Sequence, residues 1–269
     1  MLYGSVDTQL NIGGNTYPLI QPALDLDFTN RTTLDSRITF TRGSSATFTD
    51  KDGYIKYVTN NIPRFDYDPV LGQCNGLLME EQRTNLLTYT SNFENWVTDY
   101  AYVSLNSTLA PDGTYSGYKL NSTANTSIGA NHGLINQVTP VASLSTYYTF
   151  SIYLKQGTSP TSLFDFYQTN PYREIKTLIT WSNPPSVATA TGNGGIIFAN
   201  TFTSVGGGWY RCSMTLKSDA NTASACVCRV YTLEIFKKVL SRSINTVKIT
   251  KNRLPLLKTF SLREFINFV

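Results

Sequence analysis

The segment 148–155, with the sequence YTFSIYLK, constrains the fold of this chain most strongly. Its apolar side chains fall at positions 148, 150, 152 and 154, and the residues between them are mostly polar. A period of two is the side-chain period of a β-strand that has one buried face and one wetter face. The sequence therefore predicts a strand here and a sheet to which the strand belongs.

Other short runs of strand-forming residues follow along the chain, bounded by clusters of Gly, Pro and Asn. They lie at residues 134–138, 163–167, 196–202, 209–216 and 226–231. Only 15% of the 269 residues are charged and 41% are hydrophobic, which suits sheets with one wet face around a sizeable core. The predicted fold class is all-β, with a jelly-roll or β-sandwich as the main domain.

Hairpins are predicted upstream of this sandwich. Asp52-Gly53 separates the runs 47–49 and 54–57, which is the pattern of a hairpin turn. The D-x-D-G spacing also resembles the start of a calcium loop, but the later ligands of such a loop are missing. Gly13-Gly14-Asn15 separates two shorter runs, so the N-terminus forms either a hairpin or an arm that orders only against a partner. We divide the chain into an attachment arm (1–22), a β-rich connector (23–84), the sandwich (85–231) and a basic tail (232–269).

The net charge of +4 resides in the tail. Residues 232–269 contain eight Lys or Arg and two Glu, whereas the first 231 residues contain 14 basic and 16 acidic residues. Cations scattered singly among polar and apolar residues are usually solvated, so we expect no nucleic-acid partner. The N-terminal sequence lacks the pattern of a secretion signal, and no apolar run approaches membrane-spanning length. We therefore expect synthesis in a reducing cytosol and no membrane insertion.

The four cysteines are expected to be free thiols. They form no C-x-x-C pair, and a reducing compartment disfavours disulfides. Cys226 and Cys228 are two residues apart, so on a strand they share one face, where a free cysteine packs as a small hydrophobe. Core packing is the favoured interpretation, and no metal site is expected.

Four separated motifs in the first third of the chain resemble a known family. They are ALDLDF (23–28), ITFTR (38–42), PRFD (63–66) and GLLMEEQRTNLL (76–87), in this order. Together they closely resemble the shared region of bacteriophage structural proteins of the tail-fibre, head-fibre or capsid-spike type. In those proteins the region leads into a β-sandwich that looks like a carbohydrate-binding module. The resemblance implies location in the virion after assembly in the host cytoplasm, a homotrimer, and two kinds of partner, other capsid or tail proteins and a host cell-surface glycan.

Residues 76–96 are predicted to be the seam between connector and sandwich, with a strand at 76–80 and a charged turn at 81–85. Asp66 and Asp68 project on the same side of an extended, proline-flanked segment. There they either hold a cation or pair with Arg64 or Arg83, and pairing with arginine is favoured because it needs no third ligand. The structural residues proposed for this seam are Asp66, Asp68, Glu80 and Arg83.

Sugar recognition requires flat aromatic surface against the apolar faces of pyranose rings, with polar groups nearby to bond the hydroxyls. Residues of both kinds lie in or beside loop-like stretches. The glycan-binding candidates are Trp96, Tyr100, Tyr102, Tyr167, Tyr172 and Arg173. For each ring the alternative is packing against the sandwich. Trp209, in the run Gly-Trp-Tyr-Arg, is expected to have a scaffold role, since that run looks structural in the phage proteins.

No catalytic arrangement emerges from the sequence. His132 is the sole histidine, and no G-x-S-x-G element accompanies it. No spacing singles out two carboxylates for glycoside hydrolysis. We therefore expect neither enzymatic activity nor a cofactor.

The tail departs from the phage pattern, in which a Trp-Gly-containing strand usually completes the sheet. Leu233, Phe236, Leu240 and Ile244 have helical spacing, and Ser261 to Glu264 resembles a capping box, so two helices are predicted. Either a frameshift replaced the usual ending, or the tail is a basic docking or oligomerisation element.

The leading hypothesis is a virion fibre or spike subunit whose sandwich presents a surface to host glycans. The alternative is a capsid decoration or adaptor protein that binds other virion subunits without a glycan ligand. A capsule-degrading enzyme is a third hypothesis, and it needs a cleft with two carboxylates or a metal.

Overall fold

A computed structural model describes residues 9–12, 15–18, 26–81, 83–90, 92–123, 131–192, 195, 197–234 and 241–252. Within these ranges the regular structure consists of β-strands and one short 3₁₀ helix, Phe93–Asn95. None of the described helical segments is long and apolar enough to cross a membrane. The predicted all-β class is confirmed.

Eighteen strands are numbered in chain order. They are β1 (Gln9–Ile12), β2 (Asn15–Pro18), β3 (Ala46–Thr49), β4 (Ile55–Val58), β5 (Phe65–Tyr67), β6 (Cys74–Leu77), β7 (Val97–Asp99), β8 (Ala101–Leu109), β9 (Tyr115–Ser122), β10 (Asn131–Val141), β11 (Tyr147–Lys155), β12 (Thr161–Gln168), β13 (Arg173–Thr180), β14 (Ser186–Gly192), β15 (Ile197–Ser204), β16 (Trp209–Lys217), β17 (Ala225–Glu234) and β18 (Ser241–Asn252).

Two six-stranded antiparallel sheets form a β-sandwich. The front sheet has the strand order β14-β13-β12-β17-β10-β7, and the back sheet has the order β15-β16-β11-β18-β9-β8. Three two-stranded hairpins, β1–β2, β3–β4 and β5–β6, precede the sandwich. The sandwich prediction is therefore confirmed, as is the hairpin around Asp52-Gly53. Of the two alternatives for the N-terminus, the pairing of β1 with β2 agrees with the hairpin.

The core lies between the two sheets. Phe150 of β11 contacts Phe164 and Phe166 of β12, with ring centroids 4.7 and 5.9 Å apart, and all three rings are fully buried. Cys212, Cys226 and Cys228 are buried in the same region, which agrees with core packing, whereas Cys74 is half-buried in the connector. Aromatic and aliphatic burial of this kind supplies most of the free energy of folding.

The strand predicted at 148–155 is confirmed as the centre of β11, with one difference. Both of its faces are covered, because Thr149, Ser151 and Tyr153 are less than a tenth exposed. Tyr153 packs against Trp209, and Ile55 of the connector packs against both. The polar alternation therefore marks a face that the connector covers in part.

Trp209 is a scaffold residue, as predicted. Its indole is 2% exposed, and its Nε1 donates a hydrogen bond to the carbonyl of Leu109 at 2.9 Å. Beside it the β3–β4 hairpin meets the turn between β8 and β9, where the amide of Ile55 donates to the carbonyl of Pro111 at 3.0 Å. The ring of Tyr54 lies against Gly113, so closely that a Cβ there would be 3.0 Å from it.

The seam differs from its prediction. The strand β6 ends at Leu77, whereas residues 76–80 were expected to form a strand. The amide of Leu78 donates to the carbonyl of Arg64, and the Arg64 guanidinium bonds the Glu80 carboxylate at 2.7 Å. These two contacts therefore tie the chain after Leu77 to Arg64, although the strand itself has ended.

The first tail helix, predicted from the spacing of Leu233, Phe236, Leu240 and Ile244, is wrong where the structure describes these residues, because Leu233 belongs to β17 and Ile244 to β18. The strand β18 lies between β11 and β9 in the back sheet. The helical spacing therefore does not reflect the structure at either of its two ends. The capping box at 261–264 lies outside the described residues.

Candidate functional site

The outer face of the front sheet carries polar and aromatic side chains where the inner face carries the core. In β12 the inner positions are Phe164 and Phe166, so Asp165 and Tyr167 point outward by the alternation of a strand. The register places Asp165 opposite Arg229 of β17 on one side and opposite Lys176 of β13 on the other. We call the outward set the front-face cluster: Asp165, Tyr167, Tyr172, Glu174, Lys176, Arg229 and Tyr231.

Arg229 holds the centre of the front-face cluster. Its Nε donates to Oδ2 of Asp165 at 2.7 Å, and its Nη2 donates to the same oxygen and to Oε1 of Glu174, the latter at 3.1 Å. Asp165 is completely buried, and its second oxygen, Oδ1, is buried without a hydrogen-bond partner. Charge-assisted bonds of this kind fix the guanidinium plane in one orientation.

Glu174 connects the guanidinium to two further groups. Its Oε1 also accepts the hydroxyl proton of Tyr172 at 2.6 Å, and its Oε2 accepts from Nζ of Lys176 at 2.8 Å. Gly192 of β14 lies opposite, and a Cβ there would be 2.9 Å from Oε2. The carboxylate therefore accepts from three donors and is closely confined.

Two tyrosine rings lie next to this charged centre. The rings of Tyr167 and Tyr172 have centroids 5.1 Å apart at an interplanar angle of 52°. The guanidinium of Arg229 lies 4.2 Å from the centroid of Tyr167 and 5.4 Å from that of Tyr231. Cation–π contacts and the hydrogen bond of Tyr172 leave these rings little rotational freedom.

Burial and bonding move the pKa values of the two acids in opposite directions. Burial disfavours the charged form of Asp165 more than Arg229 favours it, and raises the pKa of Asp165 to about 7. Burial also opposes ionisation of Glu174, but the hydrogen bonds from Lys176 and Tyr172 outweigh it and hold the pKa of Glu174 below its usual range. Burial, followed by the bond to Glu174, raises the pKa of Tyr172 to about 12. At neutral pH the cluster therefore holds an ionised Glu174 and a carboxyl, Asp165, that readily takes a proton.

The structure brings together two of the predicted glycan-binding rings, Tyr167 and Tyr172. Arg173 is adjacent in sequence but bonds Asp219 at 2.6 Å, at the end of the sheet. Tyr100 and Tyr102 are 41% and 50% exposed, and Tyr102 lies on β8 of the back sheet. They are therefore exposed aromatic side chains outside the front-face cluster.

Trp96 does not offer a surface to a sugar. The ring is 3% exposed, packs 5.3 Å from Phe93 and donates from Nε1 to the carbonyl of Tyr89 at 2.7 Å. Its position after the 3₁₀ helix turns it into the core. For this candidate the packing alternative is the correct one.

The predicted seam residues take part in a compact network. Asp66 is buried and accepts from the amide of Thr49 at 2.9 Å, while Asp68 accepts from the amides of Val70 and Leu71. Glu80 pairs with Arg64, and Arg83 pairs with Glu81. Pairing of Asp66 or Asp68 with an arginine stays a prediction. No group of three or more potential metal ligands occurs in the described part of the chain.

Several members of the front-face cluster were not predicted: Asp165, Glu174, Lys176, Arg229 and Tyr231. One signal for them is present in the sequence. Asp165 stands alone between Phe164 and Phe166, and Arg229 stands between Cys228 and Val230. A single charge within an apolar strand needs a partner of opposite sign, and these two charges, 64 residues apart, are each other's partner.

No family model matches the chain, and no curated protein matches it. Solved structures match in part. The enzymatically active domain of tailspike protein 4 from bacteriophage CBA120 is 11% identical with a TM-score of 0.38, over 61% of this chain and 21% of that chain. The CBM22-1–GH10 modules of a Clostridium thermocellum endo-1,4-β-D-xylanase, complexed with xylohexaose, are 16% identical with a TM-score of 0.37, over 67% of this chain and 30% of that chain.

A third match is the carbohydrate-binding module TmCBM61 in complex with β-1,4-galactotriose. It is 10% identical with a TM-score of 0.33, over 62% of this chain and 97% of that chain. This chain therefore spans about a fifth of the tailspike chain, a little under a third of the xylanase chain and nearly all of the module. At TM-scores this low, none of these similarities carries an argument about function.

Proposed function

We propose that this protein is a virion fibre or spike subunit whose sandwich binds a host-surface glycan through the front-face cluster. The observation that carries the binding role is the pair of tyrosine rings, Tyr167 and Tyr172, 5.1 Å apart and braced by Arg229. Tyr172 is 37% exposed, so part of its ring is open to a ligand. Lys176, 43% exposed at its side chain, adds a polar group beside the rings.

A pre-ordered aromatic pair suits a sugar for two physical reasons. The apolar C–H face of a pyranose gains contact with a ring that is already held in place, so little side-chain entropy is lost on binding. Donors at the edge of the rings then bond hydroxyl groups and set the orientation of the sugar.

The binding role is tested by glycan-array binding of the wild type and of Tyr172→Ala. Loss of one stacking ring is expected to weaken binding by up to about tenfold. Tyr115→Ala is the matched control, because Tyr115 is 70% exposed and lies on β9 of the back sheet. Equal loss in both variants, or binding to no glycan, would remove the assignment of the site.

The virion role is supported by the four connector motifs. In this proposal residues 1–22 attach the subunit to the particle, residues 23–84 connect, and residues 85–231 present the binding face, in a homotrimer assembled in the host cytoplasm. Several copies would raise a weak single-site affinity through avidity. Labelling of the chain in intact particles, with competition of phage adsorption by the purified protein, is the test, and absence of the chain from particles would contradict it.

The alternative, a capsid decoration or adaptor protein, is favoured by one observation. The connector exposes several large apolar side chains, among them Val70, Leu71 and Met79, at 61%, 70% and 65%. Exposed apolar side chains of this kind suit contacts with other virion subunits. Co-purification of virion proteins with the wild type but not with Leu71→Asp, combined with no glycan binding, would favour this function.

We propose binding without catalysis. Asp165 and Glu174 are two neighbouring carboxyl groups with separated pKa values, the pattern of a glycosidase pair. Their side chains are only 0% and 5% exposed, and Arg229 bonds both, so a glycosidic oxygen cannot reach them without displacing the guanidinium. A fall in viscosity of a capsular polysaccharide incubated with the protein would overturn this proposal.

A further inference from the structure

The ion pairs of the front-face cluster are layered: in each pair the acidic side chain is buried and the basic side chain lies closer to the solvent. The Asp165 side chain is fully buried while that of Arg229 is 20% exposed. The Glu174 side chain is 5% exposed while that of Lys176 is 43% exposed. The pair at the start of β13 has the same order, with Asp219 at 7% and Arg173 at 30%.

This layering gives the surface of the cluster a positive character, although the charges nearly cancel. The exposed cations lie nearest to the surface and contribute most to the electrostatic potential there. The buried acids lie deeper, behind the cations and under the rings. The protonation of Asp165 near neutral pH removes part of the negative charge beneath.

The hydrogen-bonding capacity of the surface is unbalanced in the same direction. The Glu174 carboxylate already accepts from Arg229, Tyr172 and Lys176. Lys176 has three N–H donors, and the bond to Glu174 occupies one of them. A ligand at this surface therefore meets donors in excess of acceptors.

We infer that the ligand of the front-face cluster is an acidic glycan, in which a sugar carries a carboxylate or a sulfate ester. The anionic group pairs with Lys176 and the outer side of Arg229, and the sugar ring packs on Tyr172 and Tyr167. This inference rests on the proposed function, since it names the class of glycan bound at the same site. A neutral sugar would leave the excess donors without ionic partners, whereas an anion satisfies them with charge-assisted bonds.

The test uses matched pairs of probes on one array. Galacturonic-acid oligosaccharides are compared with galactose oligosaccharides of the same linkage and length, and a 6-sulfated galactose series is added to tell carboxylate from sulfate. The wild type is expected to bind an acidic series at least about fivefold more tightly than the neutral one, and the preference is expected to shrink as salt is raised. The sulfated and carboxylated series then show which anionic group is preferred.

Lys176→Gln is expected to lose most of the preference, about fivefold, because its affinity for the acidic series falls more than its affinity for the neutral series. Lys56→Gln is the matched control, because Lys56 is 47% exposed, also lies near an acid, Asp50, at 3.8 Å, and belongs to the connector. It is expected to behave as the wild type.

The outcomes separate the two proposals. Equal binding of acidic and neutral series overturns this inference and leaves the glycan-binding function standing. An acidic preference that Lys176→Gln and Lys56→Gln reduce equally also overturns it, because the preference then arises from net charge. Binding to no glycan overturns the proposed function and this inference together.

Discussion

Asp165 offers a direct test of how the front-face cluster is built. The carboxyl is fully buried, one oxygen bonds Arg229, and the other has no partner. Replacement by asparagine keeps the shape and removes the ability to ionise. If the native protein holds Asp165 mostly protonated below neutral pH, this change should cost little stability there.

The magnitude follows from the pKa of Asp165, which burial raises from 3.8 to about 7. Between these values the folded state holds a proton that the unfolded state has released, so the free energy of unfolding falls as pH rises through this window. About three pH units at 1.36 kcal/mol each give about 4 kcal/mol as an upper bound. Asp165→Asn cannot show this loss.

The assay is urea denaturation of the wild type and Asp165→Asn at pH 5 and pH 8. Only the two pH units between 5 and the pKa of about 7 fall within this assay, so the wild type should lose up to about 3 kcal/mol more than the variant between pH 5 and pH 8. At pH 5 the variant should cost less than about 1 kcal/mol. Asp99→Asn, an exposed acid on β7 of the same sheet, is the control and should follow the wild type. Parallel losses, or a cost of about 3–5 kcal/mol at pH 5, would show instead that Asp165 is an ionised partner of Arg229.

Three further changes test the fold. Truncation after Glu234 removes β18, which pairs with nine residues of β11 and four of β9. At about 1 kcal/mol per hydrogen bond, the loss is comparable to the whole free energy of unfolding of a typical domain, so circular dichroism should show an unfolded or aggregated chain. A native-like thermal melt would contradict the role of β18. Gly133→Ala places a Cβ 2.7 Å from Cβ of Ser122 and 2.9 Å from the carbonyl of Tyr100, so it should cost about 1–3 kcal/mol in thermal denaturation, and a neutral effect would refute the close approach. Trp209→Phe removes the indole donor to Leu109 and should lower the free energy of unfolding by about 1–3 kcal/mol in the same measurement. An unchanged free energy of unfolding would show that this hydrogen bond does not contribute to stability.

Alternation was a sufficient guide for strands that keep it cleanly. Segment 148–155 and the run 209–216 were predicted because their apolar residues repeat every second position, and β11 and β16 contain them. β13 was not predicted, since its sequence REIKTLIT places Leu178 beside Ile179 and breaks the period. The start of β18 was predicted to be helical because its extended conformation is fixed by pairing with β11 and β9, and its own sequence pattern does not indicate a strand.

The site was predictable only in part, for a related reason. Tyr167 and Tyr172 were identified as aromatic residues beside a turn, and they do meet. The acids and bases around them come from β12, β13 and β17, and only the strand register brings Asp165 next to Arg229. Trp96 shows the reverse case, in which a residue predicted to bind a ligand is buried. The short 3₁₀ helix before it, which the sequence pattern does not predict, directs its ring inward.

The junction of Ile55, Tyr153 and Trp209 has a mechanical consequence. The connector hairpin donates a hydrogen bond to Pro111 and packs on the sandwich, so connector and sandwich are in direct contact at this junction. A force applied at the connector would be transmitted through these contacts to the β8–β9 turn and, through the indole of Trp209, to β16 of the back sheet. The front-face cluster, which belongs to the same sandwich, would then keep its orientation relative to the connector under tension.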